Sequence, residues 1–269
     1  MSAGTVVLVG CGQMGAAMLR GWLARGAAEA FHVVEPAGVP PALAASPGVS
    51  AYRSAADLAA NLAPDAVVFA IKPQIADQVV PDYRRFARPQ TVFMSIAAGK
   101  TIAGLARHLG DAAIVRVMPN TPAAIGRAIS VACANGRVSA AQRELCDGLL
   151  AAIGESTWVA DEALMDAVTA VSGSGPAYVF LLIETLAAAG EKAGLPADLA
   201  LRLAEATVAG SGELARQSAD TPARLREAVT SPGGTTRAAL DVLMAETGLA
   251  ELMDRAVAAA TRRSRELAS

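Results

Sequence analysis

The run Gly10-Cys11-Gly12-Gln13-Met14-Gly15 constrains this chain more than any other feature, because of what stands on either side of it. Thr5–Val9 before it is a short apolar run, Gln13–Arg25 has helical periodicity, and Phe31–Glu35 is a second apolar run that ends in an acid. A GxGxxG turn between a strand and a helix is the first corner of a βαβ unit. Gly10 permits the tight turn, Gly12 lets a diphosphate approach the backbone, and Gly15 lets the helix pack closely on the sheet. The unpaired amides at the helix start carry partial positive charge and favour an anion. Gly10, Cys11, Gly12, Gln13, Met14 and Gly15 are therefore expected to hold a dinucleotide, with Glu35 accepting a hydrogen bond from a ribose hydroxyl. A carboxylate there repels a 2′-phosphate, so Glu35 by itself favours NADH over NADPH. Arg53 is the next basic residue, too far along the chain for the sequence to position it.

The alternation continues. Ala66–Ile71, Thr91–Ile96 and Ala113–Met118 read as strands, separated by alanine-rich helical segments such as Ser54–Leu62 and Thr101–Leu109. Ala128–Ala134 and Ser156–Val159 flank a helix opened by a capping box, Ser139 with Gln142. The expected class is α/β: a Rossmann-type, doubly wound, mostly parallel sheet over residues 1–159. Hydrophobic residues at 53% with aromatics at only 4% suit aliphatic helices around such a sheet.

Beyond Asp161 the strand-like runs stop, and an all-α domain is expected over residues 160–269. Its helical stretches are Leu164–Val171, Ala177–Lys192, Ala197–Arg216, Pro222–Val229 and Thr235–Leu267. Pro176, Pro196 and Pro222 occupy first-turn positions, Thr221 is an N-cap candidate, and Gly194 and Gly248 mark stops. A helical region this short and this apolar buries little by itself, so a partner chain is expected to cover part of it.

Several function classes fall away. A net charge of -2 without a basic run leaves no footprint for nucleic acid or an anionic membrane. Cys11, Cys133 and Cys146 lack CxxC spacing, and His32 and His108 stand outside any ligand-like cluster, so reduced thiols and no metal site are expected. Strand-like residues begin almost at once, with no secretion signal before them, which points to the cytoplasm. The uncharged stretch Ala167–Ile183 approaches membrane-span length, but SGSGP in its middle is expected to break the helix.

Four further motifs carry chemistry. AIKP (Ala70–Pro73) ends a strand beside the nucleotide crevice, where Lys72 can face the cofactor. RVMPNTP (Arg116–Pro122) follows another strand, its two prolines stiffening a turn that presents Asn120. AVTAVSGSGPAY (Ala167–Tyr178) supplies glycines that let a backbone or a ligand come close. TSPGGTT (Thr230–Thr236) sets two glycines and two threonines at a helix start, offering amides and hydroxyls suited to a carboxylate.

In their order and spacing these motifs resemble the pyrroline-5-carboxylate reductases, from Gly10 to near the C-terminus. The resemblance implies reduction of the cyclic imine 1-pyrroline-5-carboxylate to L-proline by hydride from NAD(P)H, and on the cofactor it leans towards NADPH, against Glu35. It implies cofactor contacts at Ser54, Ala70, Ile71, Lys72, Pro73 and Asn120. Substrate contacts are implied at Glu162, Ser231, Gly233, Gly234, Thr235 and Thr236, with Thr236 as the catalytic hydroxyl at the ring nitrogen. It further implies a homodimer through the helical domain that assembles into a larger homo-oligomer. Two rivals are weaker. A β-hydroxyacid dehydrogenase shares the glycine loop and often has a catalytic lysine on a helix of the second half, where Lys192 stands alone at a helix end. A non-catalytic redox sensor leaves the SPGGTT loop unexplained.

Overall fold

A computed structural model describes residues 3–268, so the outermost residues of both expected domains lie outside the described residues. The chain divides by its contacts into two units: residues up to Gly173 together with those from Ala260, and Ser174–Ala259.

The first unit is built on a sheet. Its strands among the described residues are β1 (Ala3–Val9), β2 (Ala28–Val34), β3 (Val49–Tyr52), β4 (Ala66–Phe69), β5 (Val92–Ser95), β6 (Ala113–Met118), β7 (Ala128–Ala134) and β8 (Gly154–Trp158). They lie in the order β3-β2-β1-β4-β5-β6-β7-β8. Every neighbouring pair is parallel except β6 with β7. That exception follows from the connection: a single 3₁₀ turn, Thr121–Ile125, is too short for a crossover helix.

Both faces of the sheet are covered, which is why its central strands read as nearly continuous apolar runs. Val6 and Leu8 join one core with Met18, Leu19 and Trp22 of the helix Gln13–Arg25. Val7 and Val9 join the other with Phe69, Tyr83 and Phe86. The order reverses between β1 and β4, and at such a switch point a crevice opens at the carboxyl ends of the strands.

Two expectations are corrected. Ser54–Leu62 is not a helix; only the 3₁₀ turn Ala55–Asp57 forms, under a capping box of Ser54 and Asp57. Arg85 captures the carbonyls of Ala55 (2.6 Å) and Leu58 (3.2 Å), which a continuing helix would have used itself. Nor does SGSGP break the chain out of helical geometry. Thr169–Gly173 forms a π turn, Ser174 keeps helical dihedrals, and the stretch Glu162–Lys192 is long and apolar enough to cross a membrane by length and composition alone. Gly173 explains the local geometry, because a Cβ there would collide with the Met118 Cε.

The second unit is helical throughout its regular structure: Gly175–Lys192, Ala197–Gln217, Pro222–Ala228, Thr235–Leu243 and the first part of Leu249–Ala268. The expected run Thr235–Leu267 is interrupted at Met244–Gly248, where the Gly248 amide donates to the Ala245 carbonyl at 2.8 Å. The first two helices approach through small residues, a Cβ on Gly190 falling 3.3 Å from that of Ala200. Among the described residues of this unit only Ala187, Ala200 and Ala204 are buried apolar side chains.

Candidate active site

The crevice of the first unit is assembled by backbone first. Gly10 sits at φ +92°, its amide donates to the Val34 carbonyl at 2.8 Å, and a Cβ on it would lie 2.5 Å from the Ala70 carbonyl oxygen. A Cβ on Gly15 would run into the Gly10 carbonyl. Both positions thus exclude side chains, one for the turn and one for helix packing. Gly12 differs: nothing lies within 4 Å of where its Cβ would stand, and it caps the helix with no side-chain acceptor. The first-turn amides that follow, at Gln13 and Met14, are donors in want of an anion.

These groups open onto a cavity of about 420 Å³, within the range of small-molecule sites. Of the residues expected from the sequence to contact a cofactor, Gly10, Gly12, Glu35, Ser54, Ala70, Ile71 and Lys72 line it. Cys11, Gln13, Met14, Gly15 and Pro73 stand around it without lining it. The Cys11 thiol is buried, and burial, followed by the Glu35 carboxylate, pushes its pKa up.

Glu35 is tied to the backbone. Its Oε2 accepts from the Cys11 amide at 2.8 Å and its Oε1 from the Ala37 amide at 3.1 Å, so the acid that ends β2 also closes the glycine turn. Arg53 reaches the same place from the end of β3: its Nη1 donates to the Pro36 carbonyl at 2.9 Å, and it lines the cavity beside Glu35. The sequence reading missed β3, and with it the position of this cation. It also missed Val79, Asp82 and Tyr83, which line the same cavity. Tyr83 carries no motif; its signal is only the apolar periodicity of Val80, Tyr83 and Phe86, all buried.

Asn120 is nine-tenths buried and turned inward. Its Oδ1 accepts from the Ile129 amide at 3.1 Å and its Nδ2 donates to the Ser172 hydroxyl at 3.4 Å, joining MPNTP to SGSGP within this unit. Glu162 is likewise engaged. One of its oxygens accepts from the Ile102 amide at 2.8 Å and from the guanidinium of Arg116 at 3.1 Å. Arg116 is buried, and its other terminal nitrogen lies 3.8 Å from Asp166, which accepts from the Ser264 hydroxyl at 2.7 Å.

The TSPGGTT loop belongs to the second unit. Pro232 and Gly233 are the central residues of a turn closed by the Gly234 amide on the Ser231 carbonyl at 3.1 Å. Gly233 has φ +68°, as a type II turn requires of its third residue. Gly234 then caps the helix Thr235–Leu243, and its Cβ position is filled by the Ser231 hydroxyl. The Gly234 amide is therefore spent on the turn, whereas Thr235 and Thr236 stand in the first turn of the helix, where amides lack intrahelical partners. Lys192 lies in the last turn of its own helix, the ordinary place for a cation.

Residues 162–267 match the family model described as pyrroline-5-carboxylate reductase dimerisation, and residues 5–99 match the one described as NADP oxidoreductase coenzyme F420-dependent. The chain is 41% identical to a pyrroline-5-carboxylate reductase of Pseudomonas aeruginosa, covering 100% of this chain and 98% of that one. It is 39% identical to the Pisum sativum enzyme of that name, over 98% and 96% of the two chains. Among solved structures, a pyrroline-5-carboxylate reductase of Coxiella burnetii superposes with a TM-score of 0.88 at 32% identity, over 98% of both chains. A pyrroline carboxylate reductase of Plasmodium falciparum with NADP bound gives 0.86 at 30% identity, over 100% of both.

Proposed function

The chain belongs to the pyrroline-5-carboxylate reductases, NAD(P)H-dependent enzymes that reduce 1-pyrroline-5-carboxylate to L-proline, and from that membership we propose how its own residues divide the work. Residues 1–159 hold the dinucleotide, and residues 160–269 bind substrate and join the subunits. The observation that carries the reading is the open face at Gly12, above a crevice lined by the turn residues of β1 and β4.

The bound dinucleotide supplies the hydride. Gly10, Cys11, Gly12, Gln13, Met14 and Gly15 form the diphosphate turn, and Ala70, Ile71, Lys72 and Pro73 follow the adjoining strand. The inward-facing Asn120 keeps the MPNTP turn in shape by holding Ile129 and Ser172. In the helical unit the amides of Gly233 and Thr235 and the hydroxyl of Ser231 anchor the substrate carboxylate, while Gly234 shapes the turn. The Thr236 hydroxyl orients the ring nitrogen; a protonated imine is already electrophilic, so alignment is most of the protein's task. Glu162 serves the substrate side as a positioning residue, through Arg116 and the Ile102 amide.

For the cofactor we infer a preference for NADPH. Glu35 spends its carboxylate oxygens on two backbone amides, and Arg53 brings a guanidinium to the same turn, where a 2′-phosphate finds a cation. Arg53→Gln is expected to lower kcat/KM for NADPH by about tenfold or more and leave that for NADH unchanged, ~1.4 kcal/mol of selective binding. Equal losses with both cofactors would remove Arg53 from that role.

The chain is a homo-oligomer, as its dimerisation-family region implies; we infer a homodimer that assembles further, working in the cytoplasm with its three cysteines reduced. The central test is oxidation of NADPH with 1-pyrroline-5-carboxylate. Thr236→Ala is expected to lower kcat at least about tenfold, ~1.4 kcal/mol in the barrier, with cofactor affinity unchanged. A matching loss of cofactor affinity would contradict the role given to Thr236.

A further inference from the structure

A second hollow, of about 550 Å³, lies at the amino ends of β5 and β6, the opposite end of the sheet from the crevice. Leu109, Ala112 and Ala113 give it an apolar floor. Three arginines and one aspartate line it: Arg84 in the turn Val80–Phe86, Arg88 in the loop that follows, Arg137 beyond β7, and Asp111. The aspartate pairs with Arg137 at 2.7 Å. Arg84 lies over Gly110, its guanidinium nitrogens 3.5 and 3.8 Å from where a Cβ would be.

Ordinary structural employment accounts for the neighbour but not for these two. Arg85 donates to two backbone carbonyls and lies over the Phe86 ring at 4.7 Å. Among the described residues, Arg84 and Arg88 have no ion-pair or side-chain hydrogen-bond partner. The lining thus gathers a local excess of positive charge on a chain whose net charge is -2. A concavity with low-dielectric walls focuses such a field, and like charges held together there are relieved by an anion.

We propose that this hollow is a second ligand site, separate from the dinucleotide crevice, and that it takes a compact polyanion with two or more negative charges. The guanidinium fork matches phosphoryl and carboxylate oxygens alike, so the shared chemistry is that of a small di- or tri-anion.

Pyrophosphate and citrate separate the two sources. Each is titrated calorimetrically, at constant ionic strength, into the protein saturated with NADP⁺ so that the crevice is filled. At least one is expected to bind with Kd below about 1 mM. Pyrophosphate alone identifies a phosphoryl ligand, citrate alone a polycarboxylate, and both together a site that reads charge only. The double variant Arg84→Gln/Arg88→Gln is expected to weaken binding by about tenfold or more while turnover stays that of the wild type. Asp111→Asn removes the one lining carboxylate and is expected to tighten binding, a gain that misfolding cannot produce. Arg255→Gln, far along the chain and paired with Glu251, controls for net charge and leaves binding unchanged. The proposal is overturned if neither anion binds, if the double variant binds as tightly as the wild type, or if Arg255→Gln weakens binding equally.

Discussion

The two units treat their apolar residues in opposite ways. In the sheet unit Val6–Val9, Ala66–Phe69 and Val92–Ser95 are buried, and Trp22, Phe31, Tyr83 and Phe86 fill both faces. In the helical unit Phe180, Leu181, Leu182, Leu186, Leu203 and Leu252 are exposed, and its buried apolar side chains among the described residues are three alanines. A large side chain left in water forgoes about 1.5–3 kcal/mol of burial. The sheet unit therefore carries its own core, whereas the helical unit acquires one from a second copy. On the division of work proposed above, dinucleotide binding is then a property of one chain, and the substrate half depends on the assembly.

The largest effect should come from breaking that assembly. Leu182 and Leu186 stand one turn apart on the helix Gly175–Lys192, both exposed. Replacing both with aspartate removes about 4 kcal/mol of interface burial and is expected to raise the dimer Kd by about a thousandfold. Sedimentation velocity should find monomer, with NADPH binding retained and turnover lost. If the variant stays oligomeric and active, the helical unit does not depend on this face.

Next comes the sheet unit's own weak point, the buried guanidinium of Arg116 between Glu162 and Asp166. Arg116→Met leaves Glu162 without its cation and Asp166 with only Arg265 at 3.8 Å, and is expected to cost about 2–3 kcal/mol, less than breaking a fully buried pair. Both tryptophans, Trp22 and Trp158, lie in this unit, so selectively excited tryptophan fluorescence during urea unfolding reports on it. A loss under about 1 kcal/mol would make the pair an ordinary surface contact.

The contrast between units also explains what the sequence could disclose. Periodicity and the glycine turn give β1, β4, β6, β7 and the helix Gln13–Arg25 within a residue or two, because local pattern and tertiary burial agree there. Ser54–Leu62 has helical composition but loses its carbonyls to Arg85, thirty residues away, which no local pattern records. Val49–Tyr52, strand β3, hides for a related reason: a four-residue edge strand with no buried side chain and no alternation has little apolar signal. Its omission also hid Arg53, which enters the crevice from the end of that strand. The reach of Glu35 to the Cys11 amide, and of Glu162 to Arg116, needs the folded backbone in the same way. The four motifs marked which segments matter, but not which side chains turn inward.

That edge supplies the smallest and most discriminating effect. His32 of β2 holds the Tyr52 hydroxyl at 2.9 Å and stacks on its ring, and burial lowers the imidazole pKa from its ordinary value. The folded state therefore favours the neutral ring. The stability this confers is complete above about pH 6.5, the ordinary histidine value, and is lost as pH falls through the lower folded value. Wild type is expected to lose more in its urea midpoint between about pH 7.5 and about pH 5 than His32→Gln does, by fluorescence of the sheet unit. The helical unit contains no histidine, since His32 and His108 both belong to the sheet unit, so the oligomer should hold across the same interval. Dissociation in step with the His32 titration would mean that the edge of the sheet and the subunit contact are energetically one structure, and would undo the separation of the two units on which the comparison rests.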